Sequence, residues 1–238
     1  MLELIDIANG VLSLIFVITS IFLGIMMIIK YFEAKNKNIL LAGIAWMFIS
    51  EVYWAVSISF LLVVFTGNAL ALDLFFFIGF VFLPVAIMIW MIIMTNLMWK
   101  SKQKIILILT GIILASLEIA FLYYLFTDIS KLGEPVGTFD IKYELFMLVY
   151  LSVILLFVII TGLRFAIESF RSENPEIRLK GKFLLVAFLS FVIGAFISIA
   201  LGDNVIILVI AKIIIISSAF EFYCGFILPD SIKKVFLK

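Results

Sequence analysis

Seven long apolar stretches alternate with short polar segments along the chain. They run approximately Ile5–Ile29, Ile39–Phe65, Leu72–Met98, Ile105–Phe126, Leu145–Phe165, Phe183–Leu201 and Val205–Leu228. A helix rises about 1.5 Å per residue, so about 20 apolar residues cross a hydrocarbon core about 30 Å thick. Every stretch meets that length. Barrel strands would be shorter and would alternate apolar with polar positions, which none of these does. The pattern predicts an all-α integral membrane protein, a single seven-transmembrane-helix bundle over residues 1–238.

The connections are short: KYFEAKNKN, TGNA, KSKQK, TDISKLGEPVGTFDIKYE, AIESFRSENPEIRLKGK and GDN. The fourth is the longest, and Gly133, Pro135 and Gly137 favour turns in it. The fifth is expected to continue its helix beyond the membrane until Pro175 ends it. Pro84, inside the third stretch, predicts a kink and a freed carbonyl. In the sixth stretch Ala187, Ser190, Gly194, Ser198 and Gly202 form a small-residue stripe that suits close helix packing. Ser217, Ser218, Glu221, Cys224 and Gly225 form a similar stripe in the seventh. These stripes serve packing within one chain or between chains, so an oligomer stays open. No internal repeat or second domain is visible.

Composition narrows the class. Hydrophobic residues make up 66% and charged residues 14%, against roughly half and a quarter in a soluble domain. The net charge of +1 gives no reason to expect nucleic acid as a partner. With Cys224 alone and no histidine, an intrachain disulfide, a thiolate metal cluster and histidine-based hydrolysis are excluded. No cofactor and no enzymatic activity are expected. The start, MLELID, carries Glu3 and Asp6 where a cleavable signal carries Lys or Arg, so the first stretch is expected to be a retained helix.

Basic residues set the expected orientation. Lys30, Lys35, Lys37, Lys100, Lys102, Lys104, Arg164, Arg171, Arg178, Lys180, Lys182, Lys233, Lys234 and Lys238 fall at one set of helix ends. Only Lys131 and Lys142 fall at the other, beside Glu3, Asp6, Asp73, Asp128, Glu134, Asp140, Glu144 and Asp203. The amino terminus is therefore expected outside and the carboxyl terminus in the cytoplasm, in the cell membrane. Residues 229–238, PDSIKKVFLK, read either as a short basic amphipathic helix on the lipid surface, N-capped by Asp230, or as a frayed tail.

Four ionisable groups lie inside apolar stretches: Glu51, Glu118, Lys212 and Glu221. An uncompensated charge in hydrocarbon costs several kcal/mol, so such groups are candidate site residues. Counting rise per residue puts Lys212 and Glu118 at one depth and Glu51 close to it, while Glu221 lies about 13 Å deeper and on nearly the opposite face from Lys212. The expectation is a cluster in which Lys212 pairs with Glu118 or Glu51. The alternatives are a purely structural ion pair, or a lysine whose stem reaches the outer interface. Met47, Glu51, Trp54 and Ile58 share one face of the second helix, where aromatics around a carboxylate could line a pocket or simply pack.

A lysine in the seventh helix invites comparison with retinal proteins. However, the third stretch carries only Asp73 at its outer end and the sixth has no Trp. The Asp/Glu-Arg-Tyr and Asn-Pro-x-x-Tyr marks of eukaryotic G-protein-coupled receptors are missing too. Two stretches carry a further likeness, ILLAGIAWMFISEVYWAVSISFLL in the second helix and FFFIGFVFLPVAIMIWMIIMTNLM in the third, the latter with an apolar-Gly-apolar-Pro-aromatic pattern. It resembles the seven-helix sensor module at the N-terminus of some prokaryotic histidine kinases. The resemblance implies a receptor-like sensor that binds a small apolar or amphipathic ligand between helices. With no effector after the seventh stretch, it would signal through a separate cytoplasmic partner. The alternatives are a small proton-coupled transporter using Glu51, Glu118, Glu221 and Lys212, a chromophore-binding light sensor, or a structural subunit.

Overall fold

The computed structural model describes residues 2–201 and 204–237. Gly202, which ends the small-residue stripe, Asp203 of the acidic set and Lys238 of the basic set lie outside the described residues. Each of the seven apolar stretches is a helix long and apolar enough to cross a membrane. They are α1 (Leu4–Ala34), α2 (Lys37–Thr66), α3 (Leu72–Met98), α4 (Gln103–Thr127), α5 (Leu145–Phe170), α6 (Pro175–Leu201) and α7 (Val205–Ile227). A short α8 (Asp230–Phe236) follows.

Polar side chains start several helices by accepting from N–H groups that have no partner in the first turn. Glu3 and Asp6 form a reciprocal capping box on α1. The Asn174 carboxamide oxygen accepts from Glu176 and Ile177 at the start of α6, and that of Asn204 accepts from Ile206 and Ile207 at the start of α7. Pro175 corrects one expectation. The fifth helix does run past Phe165, but it ends at Phe170, and Pro175 is the first residue of α6, where its missing N–H costs nothing. At α8 the capping position is Pro229 and Asp230 sits inside the first turn, so Asp230 is not the N-cap.

Helices α1, α2, α3, α5, α6 and α7 close a ring, and α4 packs outside it against α3. Accordingly α3 is the most buried of the seven and α4 the least. Trp90 of α3 is fully buried, with the rings of Phe188, Phe222 and Phe226 at 5.5, 6.1 and 6.4 Å. Its indole N–H donates to Thr161 Oγ1 at 2.8 Å. The small-residue stripes do bring α6 and α7 together: a Cβ on Gly194 would stand 2.6 Å from Ile215 Cγ1 and 3.0 Å from the Ala211 carbonyl.

Between α4 and α5 a short antiparallel hairpin pairs β1 (Gly133–Pro135) with β2 (Ile141–Tyr143). These strands were not expected, because three residues each are too few for a periodic signal. Leu132 and Phe139 anchor the hairpin by burying themselves, and Phe139 meets Phe60 of α2 edge-on at 6.2 Å. The segment thus lies over the acidic end of the ring.

Candidate functional site

Two helices are broken at the middle of the bundle. In α2, residues Ser50–Tyr53 form a 3₁₀ turn between two α-helical halves. Neither Pro nor Gly causes it. Ser50 Oγ donates back to the Met47 carbonyl at 2.6 Å and accepts from Trp54 Nε1 at 3.1 Å, and such back-bonding bends helices. In α3 the helix is interrupted at residues 81–82, just before Pro84. Proline removes the N–H that would serve the Phe80 carbonyl.

The two breaks are fastened to one another. Glu51, fully buried in the 3₁₀ turn, accepts the Phe82 N–H on both carboxylate oxygens, at 3.0 and 3.1 Å. Tyr150 of α5 donates its hydroxyl to the freed Phe80 carbonyl at 3.2 Å and contacts Glu118 Oε2 at the same distance. One hydroxyl proton cannot serve both acceptors at once, so this bond has two alternative positions. Glu51 therefore meets α3 and Glu118 meets α5, and each has a partner other than a cation.

Lys212 is 4% exposed and donates to Ser13 Oγ at 2.8 Å. Its ammonium lies 4.4 Å from the centre of the Tyr53 ring, a cation–π contact. Ser13 donates to Asn9 Oδ1 at 3.4 Å, and Asn9 Nδ2 donates to Asp140 Oδ1 at 2.7 Å. All three bonds point the same way, from the ammonium to a carboxylate in the hairpin. Asp140 is also the carboxylate whose charge acts on Lys212. The expected pairing with Glu118 or Glu51 is thus replaced by an indirect link to Asp140. Equal depth was the wrong criterion. Glu118 projects from the outlying α4 towards α5, whereas Lys212 faces α1 and α2. Nor does Lys212 reach the outer interface, since the protein buries its ammonium.

A separate bond also ties α1 to the hairpin segment, Asp6 accepting from Thr138 Oγ1 at 3.1 Å. Packing against Phe76 and Phe80 buries Tyr143, pushing its hydroxyl above the ordinary range, and the Asp140 charge adds to the shift. Asp6, Asn9, Ser13 and Ser20 were not among the expected site residues. Their spacing of three, four and seven puts them on one face of α1, a signal that the sequence does carry.

Neither Trp54 nor Glu51 lines the two grooves described below. Trp54 packs beside Phe48, its ring centre 6.0 Å away. Glu221 stands apart as well, in a groove at the basic end lined also by Arg178 and Lys182. An apolar groove of about 640 Å³ opens between α3, α4 and α5, lined by Met91, Trp99, Ile113, Leu156 and Thr161 among others. Among the described residues no three His, Cys, Asp or Glu side chains converge as a metal site would require. No protein family, curated protein or solved structure matches the chain.

Proposed function

We propose that the protein is a receptor-like sensor in the cell membrane, with its amino terminus outside, its carboxyl terminus in the cytoplasm and no catalytic chemistry of its own. The observation that carries this reading is the Glu51–Phe82 fastening between two broken helices. A 3₁₀ segment within a helix often marks a hinge, and a bistable element is what a sensor needs. The ligand class is a small apolar or amphipathic molecule that enters sideways from the bilayer into the groove between α3, α4 and α5. Filling that groove bears on α5, where Tyr150 holds the α3 break. The signal leaves through the basic end to a cytoplasmic partner, as the resemblance to histidine-kinase sensor modules implies.

Two measurements test this. Impermeant thiol labelling of Ser101→Cys and Ser130→Cys, in a Cys224→Ala background, reads the orientation. Ser130→Cys is expected to react from outside intact cells, and reaction of Ser101→Cys instead would overturn the topology. Mass spectrometry of purified protein is expected to find one small apolar molecule that Ile113→Trp and Leu156→Trp exclude. If both fillers leave the bound molecules and the exchange of the Phe82 amide unchanged, the sensor reading fails.

A second reading, a proton-coupled carrier, draws on the directed Lys212–Ser13–Asn9–Asp140 chain from the acidic end into the bundle. It requires proton flux in liposomes that Lys212→Met abolishes.

A further inference from the structure

The groove at the basic end lies where α6, α7 and α8 meet the end of α5, with a volume of about 640 Å³. Its walls differ in chemistry. Phe170, Phe183 and Phe236 supply an aromatic side. Arg178 and Lys182, one turn apart on α6, supply an exposed cationic rim. Glu221 from α7 completes the lining, and its Oε2 is buried with no hydrogen-bond partner. The neighbouring lysines are engaged: Lys180 donates to the Phe226 carbonyl at 2.9 Å, and Lys233 of α8 pairs with Glu176 at 3.0 Å. Arg178 and Lys182 have no ion pair among the described residues. Lys182 only leans over the Phe170 ring at 5.9 Å.

We infer that this groove binds an anionic glycerophospholipid whose headgroup carries a hydroxyl. A phosphodiester offers only acceptors and one negative charge, which suits a guanidinium and an ammonium on one rim. Glu221 Oε2 needs a donor, and the headgroup hydroxyl is one once the carboxylate turns that buried oxygen towards the groove. The aromatic side takes the start of an acyl chain, which a free phosphate compound lacks. Basic pockets between helices at a membrane surface are a recurrent way of holding anionic headgroups. α8 forms part of the rim, held by the Lys233–Glu176 pair and by Phe236 against Phe183, ring centres 5.9 Å apart. The inference rests on the membrane reading of the chain but not on the sensor reading.

Native mass spectrometry of the full chain in micelles tests it, with phosphatidylglycerol, phosphatidylmethanol and phosphatidylcholine at equal mole fraction. Phosphatidylglycerol is expected to be retained about tenfold over phosphatidylcholine, and Arg178→Gln with Lys182→Gln to remove that preference. The control pair Lys100→Gln and Lys104→Gln, at the same end, is expected to keep it. Phosphatidylglycerol is also expected to exceed phosphatidylmethanol, which has the same charge and no hydroxyl, and Glu221→Leu to equalise the two. Equal retention of all three lipids, equal loss in the control pair, or displacement by soluble glycerol phosphate would overturn the assignment. A protein that stays soluble without detergent would overturn the membrane reading instead, so the two failures are distinct.

Discussion

The α6–α7 pair and the α2–α3 pair are held together in opposite ways. Helices α6 and α7 are unbroken where described, and they approach until Gly194 touches Ile215 and Gly225 touches Leu184. That contact is dispersion between close-packed surfaces, which has one good arrangement and resists any other. Helices α2 and α3 are each interrupted, and a carboxylate accepting a single N–H joins the interruptions. A hydrogen bond of that kind can be exchanged for another. The difference teaches that one half of the ring is a frame and the other is the part able to change.

The sharpest way to break this comparison is Gly194→Leu. A side chain at a site where even a Cβ is crowded should cost about 3 kcal/mol, seen as a lower Tm in nanodiscs. An unchanged Tm would mean that the α6–α7 contact is loose and that no frame exists. Glu51→Leu comes next. It leaves the Phe82 N–H buried without an acceptor, at a cost of about 2 kcal/mol. Hydrogen exchange should accelerate at residues 78–84 and stay slow in α6 and α7. Uniform acceleration would show a single cooperative unit. A double-mutant cycle of Lys212→Met and Asp140→Asn should give a coupling of about 1 kcal/mol through Ser13 and Asn9. Additive effects would show that the chain of bonds carries no energy. The smallest effect belongs to Pro84→Ala, which returns a donor to the Phe80 carbonyl. The regained bond and the greater freedom of the unfolded chain oppose one another, so stability should change by less than about 0.5 kcal/mol, and the Tyr150 hydroxyl should shift towards Glu118, measurable as a changed tyrosine vibrational band.

The same comparison explains what could be read from the sequence. Pro84 announces the break in α3 and the freed carbonyl, because its chemistry is local. The stripe through Gly194 announces close packing, because periodicity reports which face is small. The break in α2 has no such marker, since Ser50 acts only when its hydroxyl turns back to Met47 and Trp54. The partner of Lys212 was out of reach for another reason. Rise and rotation place a residue in depth and on a face of its own helix, but not opposite a particular neighbour. Ser13 is 199 residues from Lys212, and Asn9 is 131 from Asp140. The polar face of α1 was the readable half of that link.

Those separations bear on how the chain is made. α1, made before the other six spans, carries Asp6, Asn9, Ser13 and Ser20 on one face, and all four are buried in the finished protein. The residue that Asn9 serves is synthesised in the hairpin, and the one that Ser13 serves comes only with α7. Throughout most of translation this face has only water, the insertion machinery or a chaperone to satisfy it. α1 is therefore a helix that must be escorted. A nascent chain stopped before α7 should remain bound to its insertase while one that includes Lys212 is released.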